Sequence, residues 1–213
     1  MVYLVLMILT SYLIGSIPTS IIASKLLRGI DIREHGSGNA GATNVFRVLG
    51  WKVGIVVLLI DIAKGLIPTI WFFKIGMQGV EWPIINLKIV SGLSAVFGHI
   101  WTIFAGFKGG KGVGTGAGML IGLTPTAVLI GLSIFILIVS LTRYVSLGSI
   151  LASISIPITV FWQHFQNRES SSIALLFLSL LIPILIIFTH RSNIRRLIQG
   201  KENKVKLKKR NEV

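Results

Sequence analysis

Seven apolar segments dominate this sequence and constrain its fold more than any other feature. They cover residues 2–23, 51–73, 84–104, 113–124, 126–141, 147–163 and 172–189. A helix needs about 20 residues to cross the hydrocarbon core of a bilayer, and several of the segments reach that length. Only 13% of the residues are charged, whereas a soluble domain has roughly 25%. We therefore predict an all-α integral membrane protein with about seven transmembrane or partly re-entrant helices. Residues 1–200 would form a single polytopic domain, followed by a basic cytoplasmic tail over 201–213.

The distribution of basic residues predicts the orientation of these helices. With seven elements, four polar regions and their immediate flanks share one face and hold seventeen of the 21 Lys and Arg residues. By the positive-inside rule this face is cytoplasmic, so the N-terminus is outside and the C-terminus inside. Joining residues 113–141 into one span kinked at Pro125 gives six spans instead. That alternative places the basic tail opposite the basic first loop, so seven elements are favoured.

Composition also excludes several classes of function. The net charge of +14 would suggest nucleic acid in a soluble protein, but anionic lipid and the positive-inside rule explain it here. Nucleic acid is therefore not a predicted partner, whereas membrane lipid is. The absence of Cys excludes disulfides, thiolate metal sites and a cysteine nucleophile. Carboxylates are scarce on the basic face, which argues against a hard-metal site and a paired-carboxylate mechanism. No metal and no cofactor are predicted.

A glycine-rich loop with two lysines interrupts the apolar pattern between the third and fourth segments. Backbone N–H groups can converge on an anion in such a loop, and the lysines add positive charge. The alternative is a flexible basic loop between two helices. A Walker A loop is excluded because Gly112, and not Ser or Thr, follows Lys111. The candidate phosphate-binding residues here are Lys108, Gly109, Gly110, Lys111, Gly112 and Thr115. Three further glycines, Gly116, Gly118 and Gly122, are expected in helix–helix packing.

The first polar region contains a small-residue loop over residues 36–47 that ends in Arg47. Its glycines fit the pattern G-x-G-x-x-G, but no strand precedes them, so a dinucleotide fold is rejected. Ser, Asn and Thr side chains and a two-pronged Arg remain as phosphate ligands. The candidates in this loop are Ser37, Gly38, Asn39 and Arg47. Alternatively, Asn39, Thr43 and Asn44 cap a helix that starts nearby.

Polar residues elsewhere form one buried pair and two further polar regions on the basic face. Asp61 and Lys64 lie three residues apart within a span, so they share a helix face and are expected to pair with each other. Ser146 directly precedes the sixth segment and Ser149 lies within it. Ser146 is expected to cap this helix, with Ser149 continuing its polar face, or either serine binds a ligand. Two histidines, His99 and His190, lie near the basic face of the membrane domain. His190 and Asn193 are three residues apart and therefore share one side of a helix.

These motifs together resemble one family, the bacterial acyl-phosphate-dependent glycerol-3-phosphate acyltransferases (the PlsY family). The similarity covers nearly the whole chain and keeps the motifs in order. The matching stretches are GSGNAGATNVFR at 36–47, the Asp61/Lys64/Gly65 group, GH and FKGGKGVGT within 98–115, SLGSI at 146–150 and HRSNIRRLIQGKE at 190–202. Two departures are Thr102 in place of the family's usual Pro and Gly114 in place of Ala, and neither removes a charged group.

The resemblance implies an enzyme that transfers a fatty acyl group from acyl phosphate to the 1-hydroxyl of sn-glycerol 3-phosphate. Lysophosphatidic acid and phosphate would be the products, in the first step of phospholipid synthesis. The implied catalytic residues are Ser37, Arg47, Lys111, His190 and Asn193. The implied phosphate-binding residues are Gly38, Asn39, Lys108, Gly109, Gly110, Gly112, Thr115, Ser146 and Ser149. The protein would be a multi-pass protein of the bacterial inner membrane, with its active site facing the cytoplasm. A soluble enzyme that produces acyl phosphate is a candidate for transient docking.

Two other classes of function compete with this one. Short helices around a cationic site are typical of transporters, so a transporter or flippase for a phosphorylated solute is the main alternative. The glycine–lysine motif is not repeated in the second half of the chain, which argues against it. A scaffold subunit, which would tolerate loss of Lys111, is the third possibility.

Overall fold

A computed structural model of the chain describes residues 1–166 and 172–205. Within these residues every regular element is helical. Eleven α-helices are described: α1 Val2–Ser16, α2 Thr19–Arg28, α3 Ala42–Val48, α4 Trp51–Ile67, α5 Phe73–Gly76, α6 Ile84–Ile100, α7 Val113–Leu123, α8 Pro125–Thr142, α9 Val145–Gln166, α10 Ile173–Thr189 and α11 Arg191–Ile198. The basic residues Arg168, Lys206, Lys208, Lys209 and Arg210, and with them most of the predicted tail, lie outside the described residues.

Each of the seven predicted apolar segments contains a helix, so the all-helical membrane fold is confirmed. Five stretches of the described chain are long and apolar enough to cross a membrane: Val2–Arg28, Trp51–Gly76, Ile84–Ala105, Pro125–Thr142 and Val145–Gln166. A sixth is added if α10 and α11, which meet at a bend of 62°, are taken as one broken span. Helix α7 has only 11 residues, so its ends need protein or water around them.

Prolines account for two of the breaks between helices. Pro18 separates α1 from α2, and the residue before it, Ile17, is extended with φ −56° and ψ 114°, as steric contact with a proline ring favours. Pro125 is the first residue of α8, directly after the break at Thr124. Proline suits this position because its missing N–H would have no partner in the first helical turn.

Small residues let the helices approach closely. A Cβ on Gly118 would overlap with the backbone carbonyl of Ile62, so α7 packs directly against α4. Gly15 brings α1 equally close to Ala95 of α6. The predicted packing role is wrong for Gly116, which has open space where a Cβ would point. Glycine spacing predicts which residues share a helix face, but it does not predict what lies opposite that face.

Candidate active site

The glycine–lysine loop folds back on the end of α6. The Gly109 N–H donates to the Ile100 carbonyl at 3.0 Å, and the Gly110 N–H donates to the His99 carbonyl at 3.1 Å. Gly112 then starts α7 with φ at +81°, a left-handed conformation that glycine adopts without steric cost. The loop is therefore held by α6 on one side and by α7 on the other, unlike a free basic linker.

Lys111 connects this loop to the last two helices. Its ammonium donates to Oδ1 of Asn193 on α11, and its carbonyl accepts a hydrogen bond of 3.1 Å from the Thr189 hydroxyl on α10. Burial lowers the pKa of Lys111 from 10.5 to about 8, a shift that Glu202 opposes and the charges of Arg196 and Arg47 reinforce. An ammonium has three N–H donors. Within the described part of the chain Lys111 donates only to Asn193, so two donors are left for a ligand.

A buried carboxylate completes this cluster. Oε1 of Glu202 accepts hydrogen bonds from Ser146 at 2.9 Å and from Asn193 at 2.6 Å. Its Oε2 accepts from Nε of Arg196 at 2.8 Å. Burial acts to raise the pKa of Glu202, but the hydrogen bonds from Asn193, Arg196 and Ser146 outweigh it, so this pKa is lowered. Glu202 therefore stays ionised and orients Asn193, whose Oδ1 accepts from Lys111.

The first polar loop is organised by Asn44, which lies inside α3. The Asn44 side chain accepts from the Ser37 N–H at 2.8 Å and donates to the carbonyls of Ile32 and His35 at 3.0 and 2.9 Å. It therefore ties the loop to its own helix. Helix capping by Asn39, Thr43 or Asn44 is not what the structure shows, because Gly41 is the N-cap residue of α3 and no side chain caps the helix. Arg47 reaches the end of the chain, where it donates to the Asn203 carbonyl at 3.3 Å.

His190 lies at the bend between α10 and α11 and is buried. Its Nδ1 is 2.8 Å from the Ile186 carbonyl. A carbonyl only accepts hydrogen bonds, so Nδ1 carries the proton in this contact and Nε2 is left for another partner. The ring is thereby fixed to its own helix while one nitrogen stays free of that contact.

Comparison with known proteins decides the family. A family model described as glycerol-3-phosphate acyltransferase matches residues 5–200. The chain belongs to the glycerol-3-phosphate acyltransferase family. It is similar to the glycerol-3-phosphate acyltransferase of Chlorobaculum tepidum, with 50% identity across 96% of this chain and 97% of the relative. The corresponding protein of Chlorobaculum parvum is also 50% identical, across 93% and 94% of the two chains.

Solved structures agree with this assignment. The chain resembles the crystal structure of PlsY, an integral membrane glycerol 3-phosphate acyltransferase, in its glycerol 3-phosphate form. The TM-score is 0.82 and the identity 37%, covering 95% of this chain and 96% of the other. The lysophosphatidic acid form of PlsY gives a TM-score of 0.80 at 36% identity, covering 95% of each chain. The family resemblance identified from the sequence motifs is therefore confirmed.

Within this acyltransferase fold, eleven of the fourteen candidate residues divide into three groups. Lys111, Asn193 and Ser146 meet around Glu202, and Arg47 reaches the neighbouring Asn203. Five others have backbone or side chains that are at least partly exposed: Ser37, Gly38, Asn39, Lys108 and Gly109. The hydroxyls of Thr115 and Ser149 lie inside the protein. Oγ1 of Thr115 is fully buried, and Oγ of Ser149 donates to the Val145 carbonyl of its own helix at 2.9 Å.

Sequence reasoning missed the role of Glu202 and the loop-forming role of Asn44. From the sequence alone, Glu202 is simply one of the few carboxylates of the basic face. Its sequence separation from Ser146, 56 residues, follows no helical period that a pattern search would detect. Ser146 does not cap α9, because its hydroxyl donates to Glu202 instead. Within the described residues, no group of three or more His, Cys, Asp or Glu side chains is arranged to hold a metal ion.

Proposed function

We propose that this protein transfers a fatty acyl group from acyl phosphate to the 1-hydroxyl of sn-glycerol 3-phosphate. The products are lysophosphatidic acid and inorganic phosphate, in the first step of phospholipid synthesis. The observation that carries the proposal is Lys111, a largely buried ammonium with spare N–H donors at the end of a glycine loop. Family membership supplies the acceptor class, because each relative described above is named for glycerol 3-phosphate.

The chemistry needs no covalent enzyme intermediate, because acyl phosphate already carries a good leaving group. The acceptor hydroxyl oxygen attacks the carbonyl carbon, a new C–O ester bond forms, and the bond from that carbon to the phosphate oxygen breaks. The departing phosphate takes the hydroxyl proton. The protein therefore acts by positioning two anions and by stabilising the charge that develops on the carbonyl oxygen and phosphate.

The loop over residues 108–115 binds the donor phosphate in this proposal, with Lys111 as its cation. Ser37 and Arg47 complete the phosphate site or bridge to the acceptor, and His190 and Asn193 position glycerol 3-phosphate. The orientation of Asn193 by Glu202 supports this assignment. The acyl chain extends from the loop into a lipid-facing groove between the short helices.

The proposal includes a topology with the N-terminus outside, the C-terminus in the cytoplasm and the site facing the cytoplasm of a bacterial inner membrane. The distribution of Lys and Arg between the two faces supports it. The basic face is also a docking surface for a soluble enzyme that produces acyl phosphate.

An activity assay tests the proposed function directly. Purified protein in detergent receives palmitoyl phosphate and radiolabelled glycerol 3-phosphate, and lysophosphatidic acid is measured. We expect labelled lysophosphatidic acid and one phosphate released per ester formed. A folded sample that forms no product would overturn the proposal. Uptake of labelled glycerol 3-phosphate into proteoliposomes without acyl phosphate would instead favour the transporter.

A further inference from the structure

A second polar centre lies beneath the glycine loop, buried among the membrane helices. The carboxylate of Asp61 on α4 accepts from the Thr19 hydroxyl at 2.6 Å and lies 2.8 Å from Nζ of Lys64. His99 of α6 completes the group, with its Nδ1 at 3.4 Å from Nζ of Lys64 and 3.7 Å from Oδ1 of Asp61. All three ionisable side chains are at most 7% exposed. The predicted pairing of Asp61 with Lys64 is confirmed.

The donors of Lys64 are fully used within this centre. Besides Asp61, Nζ of Lys64 donates to the Ile17 carbonyl at 2.8 Å and contacts the Thr19 hydroxyl oxygen at 3.0 Å. An ammonium has three N–H groups and no acceptor. With Asp61, Ile17 and Thr19 as partners, Lys64 has no donor left for a substrate. This centre therefore acts on the reaction only through what it holds in place.

What it holds is the turn at Gly109 and Gly110. The His99 carbonyl accepts the Gly110 N–H, and Nε2 of the same histidine lies where a Cβ on residue 110 would point. A cavity with room for about 10 Å³ is lined by Gly109 and Gly110 of this turn together with Lys64, His99 and Thr19. That volume is close to the space that one water molecule needs. The ring of His99 thus packs directly against the turn at Gly110.

The tautomer of His99 follows from its neighbour. Lys64 has no acceptor to offer, so the lone pair of Nδ1 faces its ammonium at 3.4 Å and the neutral ring carries its proton on Nε2. The protonated nitrogen then faces the Gly110 side of the ring. A buried ion pair of Asp61 and Lys64 alone would not need an imidazole wedged against a loop, so the ring has a task beyond charge pairing.

We propose that His99 is a positioning residue for the donor site. Held by Lys64 and Asp61, it fixes the Gly109–Gly110 turn and thereby sets the affinity of the loop for the donor phosphate. This inference rests on the proposed function, in which the loop binds acyl phosphate.

Two substitutions of His99 test this role. His99→Asn keeps a polar atom near the Nδ1 position but removes the ring edge beneath Gly110. His99→Gln carries an N–H to the Nε2 position. We expect the KM for palmitoyl phosphate to rise about tenfold in His99→Asn, because the turn loses the ring edge that packs against Gly110, and clearly less in His99→Gln. The KM for glycerol 3-phosphate should change less than about twofold. Unchanged donor KM, or an equal rise in both KM values, would overturn the proposal.

Hydrogen exchange gives a readout that does not depend on activity. In His99→Asn, the peptide covering residues 105–113 should exchange faster than in the unsubstituted protein, while the peptide covering residues 88–97 of α6 keeps its protection. Tyr12→Phe is the matched control, because it removes a 2.6 Å hydrogen bond to Trp101 at the same end of α6 without touching the turn. Equal exchange of the loop in His99→Asn and Tyr12→Phe would contradict the inference.

A milder pair of variants covers the case in which His99→Asn does not fold. Thr19→Val removes the hydroxyl between Asp61 and Lys64, whereas Thr19→Ser retains it. The donor KM should rise about threefold in Thr19→Val and stay at the original value in Thr19→Ser. Equal donor KM values in both variants would overturn the proposal. If the unsubstituted protein forms no lysophosphatidic acid, the proposed function fails, and the exchange experiment still decides the role of His99.

Discussion

Lys64 and Lys111 each lie in a separate cluster that contains one carboxylate. They differ in how many ammonium N–H donors are left for a ligand. Lys64 is 5% exposed and lies against Asp61, Thr19 and the Ile17 carbonyl. Lys111 is less buried, and its contact is with the amide of Asn193, which stands between it and Glu202. The first lysine is neutralised directly by its carboxylate. The second is connected to its carboxylate only through an intermediate amide.

From this difference we infer that Lys64 stabilises the helix packing and that Lys111 binds the anionic ligand. A directly paired and fully hydrogen-bonded lysine holds helices together and has no capacity for another anion. A lysine that is partly desolvated but not directly paired interacts strongly with an incoming phosphate, because charges attract more strongly where water is scarce. Lys111 belongs to the glycine loop, and Lys64 lines the cavity beside Gly109 and Gly110. In the proposed account Lys64 helps to fix the position of the loop and Lys111 provides its charge.

The largest effect should come from removing the charge of Lys111. We expect Lys111→Met to lower kcat/KM roughly 1,000-fold, as the loss of one preorganised donor at developing negative charge does. Lysophosphatidic acid formation at saturating and limiting palmitoyl phosphate measures it. Lys52→Met is the control, since Lys52 is exposed and lies over the ring of Trp51. Activity of Lys111→Met near that of the control would remove Lys111 from the site.

The same substitution at Lys64 should lower the stability of the protein, unlike Lys111→Met. Lys64→Met leaves Asp61 buried without its cation, which costs about 3–5 kcal/mol of stability in comparable sites. Its main consequence should be a lower unfolding temperature in detergent, whereas Lys111→Met should unfold near the temperature of the unsubstituted protein. Equal losses of stability in the two variants would mean that the lysines do not divide support and binding in this way.

A bulky side chain at Gly110 should have the next largest effect. Leu at this position would collide with the ring of His99, so Gly110→Leu should displace the loop and lower kcat/KM about 100-fold, as misplacement of a binding group by about 1 Å does. Gly116→Ala is the matched control, because a Cβ there points into open space. Full activity in a folded Gly110→Leu sample would overturn the donor-site assignment.

Replacement of His190 should affect the acceptor and spare the chemical step. We expect His190→Gln to raise the KM for glycerol 3-phosphate about tenfold, while kcat stays within about twofold. In the proposed mechanism the leaving phosphate takes the proton, so loss of the imidazole should not slow turnover at saturating acceptor. A large fall in kcat without a change in KM would instead identify His190 as the general base.

The sequence predicted the helices and the local pairs well. Each predicted apolar run contains a helix of the described chain, Pro125 located the break after α7, and the three-residue spacing of Asp61 and Lys64 predicted their ion pair. In each case the physical cause lies within a few neighbouring residues. Hydropathy, proline geometry and helical period are local properties, so they can be read without knowing which helices become neighbours.

The sequence could not show which distant groups meet at the ends of the helices. Glu202 meets Ser146 and Arg196 because the chain turns back after α11, and Thr19 meets Asp61 across 42 residues of sequence. Asn44 was interpreted as a possible cap because Asn favours helix starts, yet its side chain bonds to the preceding loop. Such contacts depend on tertiary packing, which no periodicity specifies.

The protonation of Lys111 offers a direct test of its role. Burial lowers its pKa to about 8, so the charge that we propose binds the donor phosphate is lost as pH rises through that value. The KM for palmitoyl phosphate should therefore rise about threefold from pH 7.5 to pH 8.5. Stability should not fall in this interval on account of Lys111. Its pKa is lower in the folded protein than when unfolded, so the unfolded chain binds more protons and rising pH favours folding.

The decisive measurement compares this pH profile with that of Lys111→Arg. A guanidinium stays protonated throughout the interval, so each protein is referred to its own donor KM at pH 7.5. We predict a rise of about threefold by pH 8.5 in the unsubstituted protein and a flat profile in Lys111→Arg. The same rise in both proteins would contradict the claim that the Lys111 ammonium binds the donor phosphate.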